Sequence, residues 1–84
     1  MKRIDLYTSP TCHPCKILKP ILEEFATEER VDVNTIDLAK NRVAFEEYNV
    51  KSTPTMIFFN NGTEYKRFSG SATKAKLKEL FQVL

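Results

Sequence analysis

The most constraining feature of the 84-residue chain is a short, continuous apolar run, Thr55-Met56-Ile57-Phe58-Phe59. A run of this length and composition is typical of a central strand that is buried on both faces. Asn61-Gly62 follows it closely and is a strong signal for a type I′ hairpin turn. The sequence therefore predicts that residues 64–69 pair antiparallel with the run, in a sheet that is covered on both faces.

The first half of the chain alternates between strand and helix patterns. Residues 2–8 are predicted to form a strand. Residues 12–29 carry apolar side chains at helical spacing and are predicted to form one amphipathic helix, with Thr11 as its N-cap. Pro14 falls in the first turn, where its missing N–H is harmless, whereas Pro20 removes a helical hydrogen bond and is predicted to kink the helix.

Three more elements complete the pattern. Residues 31–36 are predicted to form a second strand, with Val31 and Val33 on one face. Residues 41–48 are predicted to form a short helix whose buried side consists of Val43, Ala44 and Tyr48. After Gly70-Ser71, a last helix carries apolar residues at helical spacing, namely Leu77, Leu80, Phe81 and Leu84.

The resulting order is β-α-β-α-β-β-α, which is an α/β fold. The β-α-β unit gives parallel strands joined by a right-handed crossover, and the hairpin adds antiparallel partners to the same sheet. We therefore predict a four-stranded mixed sheet flanked by three helices. Residues 1–84 are expected to form a single domain, because a chain of this length has no room for a second core.

Composition and charge argue against several classes of protein. The net charge is +2, from 13 basic and 11 acidic residues spread along the chain, which gives no concentrated basic stripe for nucleic-acid binding. No stretch approaches the roughly 20 apolar residues that span a bilayer. Asp5 interrupts the apolar run that a secretion signal needs. We expect a cytoplasmic monomer that binds neither nucleic acid nor membranes.

Only two cysteines occur, Cys12 and Cys15. A disulfide between them closes almost no chain and removes little unfolded-state entropy, so chemistry explains the pair better than structure does. A zinc site is the alternative use of this spacing. Zinc usually takes four ligands, however, and the sequence offers at most Cys12, Cys15 and His13. We therefore expect a redox-active pair, with no metal and no cofactor besides the disulfide itself.

Cys12 lies where the first strand ends and the first helix begins. Backbone N–H groups and the positive end of the helix dipole favour its thiolate, so Cys12 is predicted to be exposed and to attack substrate disulfides. Cys15, one turn further on and more buried, is predicted to resolve the mixed disulfide. His13 either favours the Cys12 thiolate through an imidazolium charge or lies in solvent with little effect. Pro14 is predicted to stiffen the turn that holds the two sulfurs together.

The chain resembles the thioredoxin-like superfamily over essentially its whole length. The features that carry the resemblance are a strand leading into Cys12-His13-Pro14-Cys15, Pro20 in the first helix, Thr53-Pro54 before the third strand, and Gly70 before the last helix. The resemblance implies a cis Thr53–Pro54 bond that places the backbone of residue 53 beside Cys12, for pairing with an extended substrate. It also implies a substrate-binding surface formed by Thr11, Thr53, Pro54 and Gly70.

The chain also departs from the family pattern. It begins directly with the strand before the cysteines, an outline that is similar to glutaredoxins and to minimal thioredoxins. Gly70-Ser71-Ala72-Thr73 lacks the double glycine and acidic residue with which glutaredoxins bind glutathione. The buried aspartate of thioredoxins aligns with Leu6, and Asp5 is predicted to face the other side of the sheet. Either His13 or water would then accept the proton of Cys15, or Cys15 would ionise less readily.

The resemblance implies a protein-disulfide reductase, a dithiol electron carrier that acts on disulfide-containing proteins and is recharged by a flavoprotein thioredoxin reductase. Three alternatives stay open. One is a glutaredoxin-like enzyme reduced by glutathione, another is an oxidase or isomerase suggested by His13, and the third is a non-enzymatic interaction or metal-binding module. The reduction potential of the cysteine pair separates the enzymatic alternatives.

Overall fold

The computed structural model describes residues 1–82. Within this range the chain forms four strands and three helices, in the predicted order. The elements are β1 (Lys2–Thr8), α1 (His13–Glu29), β2 (Asp32–Asp37), α2 (Arg42–Glu47), β3 (Thr55–Asn60), β4 (Thr63–Ser69) and α3 (Lys74–Phe81). The prediction for Leu84 on the last helix falls outside the described residues.

The strands form one sheet in the order β2-β1-β3-β4. β1 is parallel to β2 and antiparallel to β3, and β3 is antiparallel to β4, which confirms the predicted mixed sheet. β3 lies inside the sheet, and its first five residues are all buried. The hairpin turns at Asn61 and Gly62, whose φ angles of 53° and 83° are those of the predicted type I′ turn.

One face of the sheet, called the α1/α3 face, packs against those two helices. Its buried side chains come from the sheet, from the helices and from the segment before α3, and they are Ile4, Leu6, Leu18, Leu22, Phe25, Met56, Phe58, Ala72, Leu77 and Leu80. Val31 and Val33 pack against the same cluster, which confirms that they share a face. α1 therefore rests on an apolar support, with its first turn held at the end of β1.

The opposite face, called the α2 face, packs against the short helix α2. Its buried apolar cluster consists of Tyr7, Phe45, Val50, Ile57 and Phe59. The predicted buried side of α2 is wrong in part, because Val43 is 68% exposed and Tyr48 is 37% exposed, whereas Ala44 packs against the cluster. The ring of Phe45 meets that of Tyr7 edge-on, with centroids 5.0 Å apart. A six-residue helix presents only one narrow stripe to the sheet. The side chain of Phe45 gains more from burial in that stripe than the smaller side chain of Val43 would.

Candidate active site

The cysteine pair lies at the junction of β1 and α1. Cys12 is the N-cap of α1, with extended backbone angles, and its Sγ accepts the backbone N–H of Cys15 at 3.2 Å. The prediction of Thr11 as the N-cap is wrong, because the Cys12 sulfur already satisfies the free N–H three residues further on. Thr11 lies exposed, one residue before the cap. Pro14 lies in the first turn, as predicted.

A disulfide joins Cys12 and Cys15, whose Cα atoms are 5.3 Å apart. The two residues are 8% and 4% exposed, so Cys15 is the more buried one, as predicted. The prediction that Cys12 is exposed is wrong for this oxidised form. Its sulfur turns back over the first turn of α1, where it bonds to the Cys15 sulfur and accepts the Cys15 N–H. Of the two residues, Cys12 nevertheless keeps the larger exposed fraction.

The surroundings of Cys12 favour a negatively charged sulfur. α1 is 17 residues long, and no acidic side chain lies in its first turn. The positive end of the helix dipole and the N–H of Cys15 therefore act on the Cys12 sulfur without an opposing carboxylate in that turn. These are the conditions under which a reduced cysteine ionises readily and becomes nucleophilic.

His13 and Pro14, between the cysteines, are both exposed. Water and salt weaken the field of an exposed charge, so an imidazolium at His13 acts on the Cys12 sulfur mainly through solvent. Pro14 has its φ angle fixed by the pyrrolidine ring, which restricts the turn that carries both cysteines. The tuning roles of these two residues stay predictions.

Hydrogen bonds link the cysteine loop to the loops that carry the other predicted site residues. The carbonyl of Ser9 accepts the N–H of Cys12 at 3.3 Å, and the Ser9 hydroxyl lies 3.4 Å from that of Thr53. The Thr53–Pro54 peptide bond is cis, as predicted. The N–H of Gly70 donates to the carbonyl of Pro54 at 2.8 Å. The fold thus connects three loops that are far apart in sequence. Ser9 is a connecting residue that no pattern in the sequence indicates.

Two further features shape the loops around Pro54. Thr55 is buried, and its hydroxyl donates to the carbonyl of Ser52 at 2.8 Å and lies 3.2 Å from the hydroxyl of Ser69. Gly70 has a φ angle of +107°, a conformation that side-chain-bearing residues rarely adopt. A Cβ at Gly70 would meet nothing within 4 Å, so the backbone angle and not crowding explains the glycine.

No buried carboxylate of the described chain lies beneath the cysteine-bearing helix. Leu6 is 1% exposed and belongs to the α1/α3 face. Asp5 is buried and points to the opposite face, which confirms the prediction. Its Oδ1 accepts hydrogen bonds from Arg3 Nε at 3.0 Å and from Asn34 Nδ2 at 3.2 Å. Asp5 therefore has its own partners, on the side of the sheet away from α1.

A solvent-open groove of about 650 Å³ reaches the cysteine pair from the β2 side of β1. Cys15 lines this groove, together with the charged and amide side chains of Lys16, Lys19, Asp37, Lys40 and Asn41. The sequence gives no sign of the groove, because its lining comes from residues 8–10, 15–19 and 35–41, which only the fold brings together.

Residues 1–82 contain neither a metal-binding cluster of side chains nor a helix that could cross a membrane. In this part of the chain, no three or more His, Cys, Asp or Glu side chains lie close enough together to hold a metal ion. None of the described helices has both the length and the apolar character that crossing a membrane requires.

Comparison with known proteins finds a family model and relatives that match most of the chain. A protein-family model described as Thioredoxin matches residues 4–82. A bifunctional thioredoxin reductase/thioredoxin of Mycobacterium leprae is 43% identical over 68 residues, which are 79% of this chain and 15% of that protein. The thioredoxin of Buchnera aphidicola is 39% identical over 70 residues, 81% of this chain and 65% of that protein. This chain therefore spans less than two thirds of either relative.

The fold also matches a solved structure. The X-ray structure of Fasciola hepatica thioredoxin superimposes with a TM-score of 0.86, at 31% sequence identity. The match covers 95% of this chain and 77% of that one. The likeness therefore extends over most of the chain and is not limited to the segment around the two cysteines.

Proposed function

The chain belongs to the thioredoxin family, and from that premise we propose that it is a thiol–disulfide oxidoreductase that reduces disulfides of other proteins. One observation carries the proposal. The Cys12–Cys15 disulfide sits at the start of α1, with the Cys15 N–H directed at the Cys12 sulfur. The family match and the relatives named thioredoxin support this function over the glutaredoxin-like alternative.

The reaction takes place in two exchanges. The Cys12 thiolate attacks one sulfur of the substrate disulfide, which forms a mixed disulfide and releases the other substrate sulfur as a thiolate. The Cys15 thiolate then attacks the Cys12 sulfur, forms the Cys12–Cys15 disulfide and releases the second substrate sulfur. Two electrons pass from the cysteine pair to the substrate. The two protons lost by the cysteines are balanced by two protons that the substrate thiolates take up.

Substrate binding is assigned to the loops next to Cys12. An extended substrate segment pairs with the backbone of Thr53, and Thr11, Pro54 and Gly70 form the adjoining surface. The hydrogen bonds through Ser9 and from Gly70 to Pro54 support this assignment, because they hold the loops in fixed positions relative to the cysteine pair.

Proton transfer at Cys15 is assigned to water. Leu6 occupies the place that the resemblance gives to a buried aspartate, and Asp5 faces the other side of the sheet. Cys15 lines a solvent-open groove, so water reaches its surroundings and can take the proton when the thiol ionises. This arrangement needs no buried acid.

A flavoprotein thioredoxin reductase is the proposed source of electrons. The relative from Mycobacterium leprae carries both thioredoxin reductase and thioredoxin in its name, which supports such a pairing. The cytoplasm is the proposed location, because a dithiol reductase works where thiols are kept reduced. Reduction assays with thioredoxin reductase and with glutathione, run in parallel, identify the physiological reductant.

The test is turnover of a protein disulfide. Reduced protein is mixed with insulin, and cleavage of the insulin disulfides is followed for the wild type and for Cys12→Ser and Cys15→Ser. We expect the wild type to cleave, Cys12→Ser to be inactive, and Cys15→Ser to accumulate a mixed disulfide through Cys12. Absence of cleavage by the wild type, or full activity of Cys12→Ser, would overturn the proposal.

A further inference from the structure

The groove beside Cys15 lies on a different side of the cysteine pair from the loops of Thr53 and Gly70. In the sheet, β1 has β2 on one side and β3 on the other. The groove opens between α1 and the end of β2, whereas Thr53-Pro54 leads into β3. The cysteine pair therefore has two neighbouring surfaces, and the proposed substrate loops form only one of them.

The groove carries a surplus of positive charge. Three lysines line it, Lys16 and Lys19 from α1 and Lys40 from the segment after β2. Asp37 is the one carboxylate in the lining, and its Oδ1 accepts the backbone N–H of Ala39 at 2.9 Å. None of the three lysines takes part in an ion pair among residues 1–82. Three positive charges against one negative leave a net surplus of two at the groove.

The other side of the cysteine pair carries less charge. Thr53 lines a second cavity with Arg42, Lys51 and Glu46, which together leave a surplus of one positive charge. The residues that the resemblance assigns to substrate binding are themselves uncharged, namely Thr11, Thr53, Pro54 and Gly70. The two threonine hydroxyl groups can form hydrogen bonds but carry no charge, so they do not distinguish acidic from basic partners. The larger surplus of positive charge beside the cysteine pair is therefore in the groove.

We propose that the groove binds an acidic segment of the redox partner, so that disulfides flanked by Asp or Glu are reduced preferentially. This proposal rests on the proposed function and names its substrate class. Lys16 and Lys19 are three residues apart on one helix and share a side of α1, while Lys40 stands on the opposite wall. An extended segment with several carboxylates meets all three charges at once.

A protein segment fits the groove better than a small free anion does. All three lysines are exposed and remain hydrated, so each contact with one anion is weak. Several weak contacts along one segment add up, and exposed charges mainly accelerate the encounter of oppositely charged proteins. The expected effect is therefore on the rate of association, with a strong dependence on ionic strength.

The experiment compares two peptide disulfides that differ only in the residues flanking the disulfide, Glu in one and Gln in the other. Values of kcat/KM are measured at low ionic strength. For the wild type we expect the acidic peptide to be favoured about tenfold, at the lower end of electrostatic steering effects. In Lys16→Gln/Lys19→Gln/Lys40→Gln the preference should fall to about twofold or less, with the Gln peptide reduced at nearly the wild-type rate.

A control variant removes the same number of charges elsewhere. Arg30, Lys66 and Lys78 are exposed and do not line the groove. We expect Arg30→Gln/Lys66→Gln/Lys78→Gln to keep most of the preference for the acidic peptide.

Equal wild-type rates for the two peptides would overturn the proposal. An equal loss of preference in both triple variants would also overturn it, because that result assigns the effect to net charge. If inorganic phosphate abolishes the preference while chloride of the same ionic strength does not, the groove is a small-anion site and the proposal fails.

The acidic-segment proposal can fail while the proposed function holds, and the same two peptides distinguish the two failures. If the wild type reduces neither peptide, the oxidoreductase assignment itself is wrong. If it reduces the Gln peptide normally and shows no preference for the Glu peptide, only the acidic-segment proposal is wrong.

Discussion

The two faces of the sheet are lined by alternate residues of the same strands, yet they bury different chemistry. On the α1/α3 face, the buried cluster is entirely apolar, beginning with Ile4 and Leu6 of β1. Asp5, which lies between Ile4 and Leu6 in the sequence, is buried on the α2 face. Tyr7 and Thr55 are buried nearby, in β1 and β3. Asp5 and Thr55 are the buried polar residues of the described chain, and neither lies beneath α1.

This difference separates the apolar support of the cysteine pair from the buried carboxyl and hydroxyl groups of the α2 face. The helix that carries the cysteines rests on side chains that neither ionise nor form hydrogen bonds. The acid and the tyrosine on the other face are held by their own contacts, such as those of Asp5 with Arg3 and Asn34. Burial raises the pKa of Tyr7 on the α2 face, so the free energy of unfolding should respond to alkaline pH.

The largest expected effect is on the free energy of unfolding. It comes from substitutions that make Leu6 polar or Asp5 uncharged, two neighbouring residues in β1. Leu6→Asn places an amide without a partner on the α1/α3 face and removes a buried leucine, which should lower the free energy of unfolding by about 3–5 kcal/mol. Asp5→Asn keeps the shape and one hydrogen-bond acceptor, and should cost about 1–2 kcal/mol. Urea unfolding of both oxidised variants at pH 7 measures the two values. An equal or larger loss for Asp5→Asn would remove the contrast between the faces.

A second effect concerns alkaline pH. Burial, aided by the charge of Asp5, raises the pKa of Tyr7 from 10.0 to about 12. The unfolded chain therefore ionises first as the pH passes 10, and the stability that burial of the neutral phenol provides is lost between pH 10 and pH 12. The expected loss in the free energy of unfolding is about 2–3 kcal/mol.

Tyr7→Phe isolates this contribution. The variant should lose less stability than the wild type over the same pH interval, as measured by urea unfolding at pH 9, 10, 11 and 12. If the two proteins lose stability in parallel, Tyr7 is not the buried group that titrates, and the pH response of the α2 face would have to be assigned elsewhere.

A smaller effect compares the tyrosines of the two faces at neutral pH. The Tyr65 hydroxyl, at the margin of the α1/α3 face, donates to the carbonyl of Phe81 at 2.7 Å. Tyr65→Phe should cost about 1 kcal/mol, the usual value of one such hydrogen bond. Tyr7→Phe should cost less at pH 7, because the Tyr7 phenol is neutral there in both the folded and the unfolded chain. Thermal unfolding of both variants at pH 7 makes the comparison, and the reverse order would contradict it.

The sequence predicts the layers of this molecule well because alternation and helical spacing directly reflect burial. The alternation of Ile4 and Leu6 with Asp5 places them on opposite faces of β1, and Asn61-Gly62 predicts the turn through its requirement for positive φ. Each of these signals depends only on residues close together in the chain.

Predictions that depend on helix rotation or on distant contacts are less successful. A six-residue α2 has too few apolar positions to show which stripe is buried, and Phe45 takes the place expected for Val43 and Tyr48. At α1, Thr11 and Cys12 are adjacent candidates for the N-cap, and only the backbone geometry decides between them. The link between Ser9 and Thr53, 44 residues apart, has no local signal.

We infer that the start of α1 makes Cys12, and not Cys15, the nucleophile. Alkylation by iodoacetamide at pH 7 tests it directly in the reduced single-cysteine variants Cys15→Ala and Cys12→Ala. We expect the Cys12 thiol of the first variant to react about tenfold or more faster than the Cys15 thiol of the second, because the thiolate is the reactive form and Cys12 is better placed to ionise. Equal rates, or faster reaction of Cys15, would contradict the account.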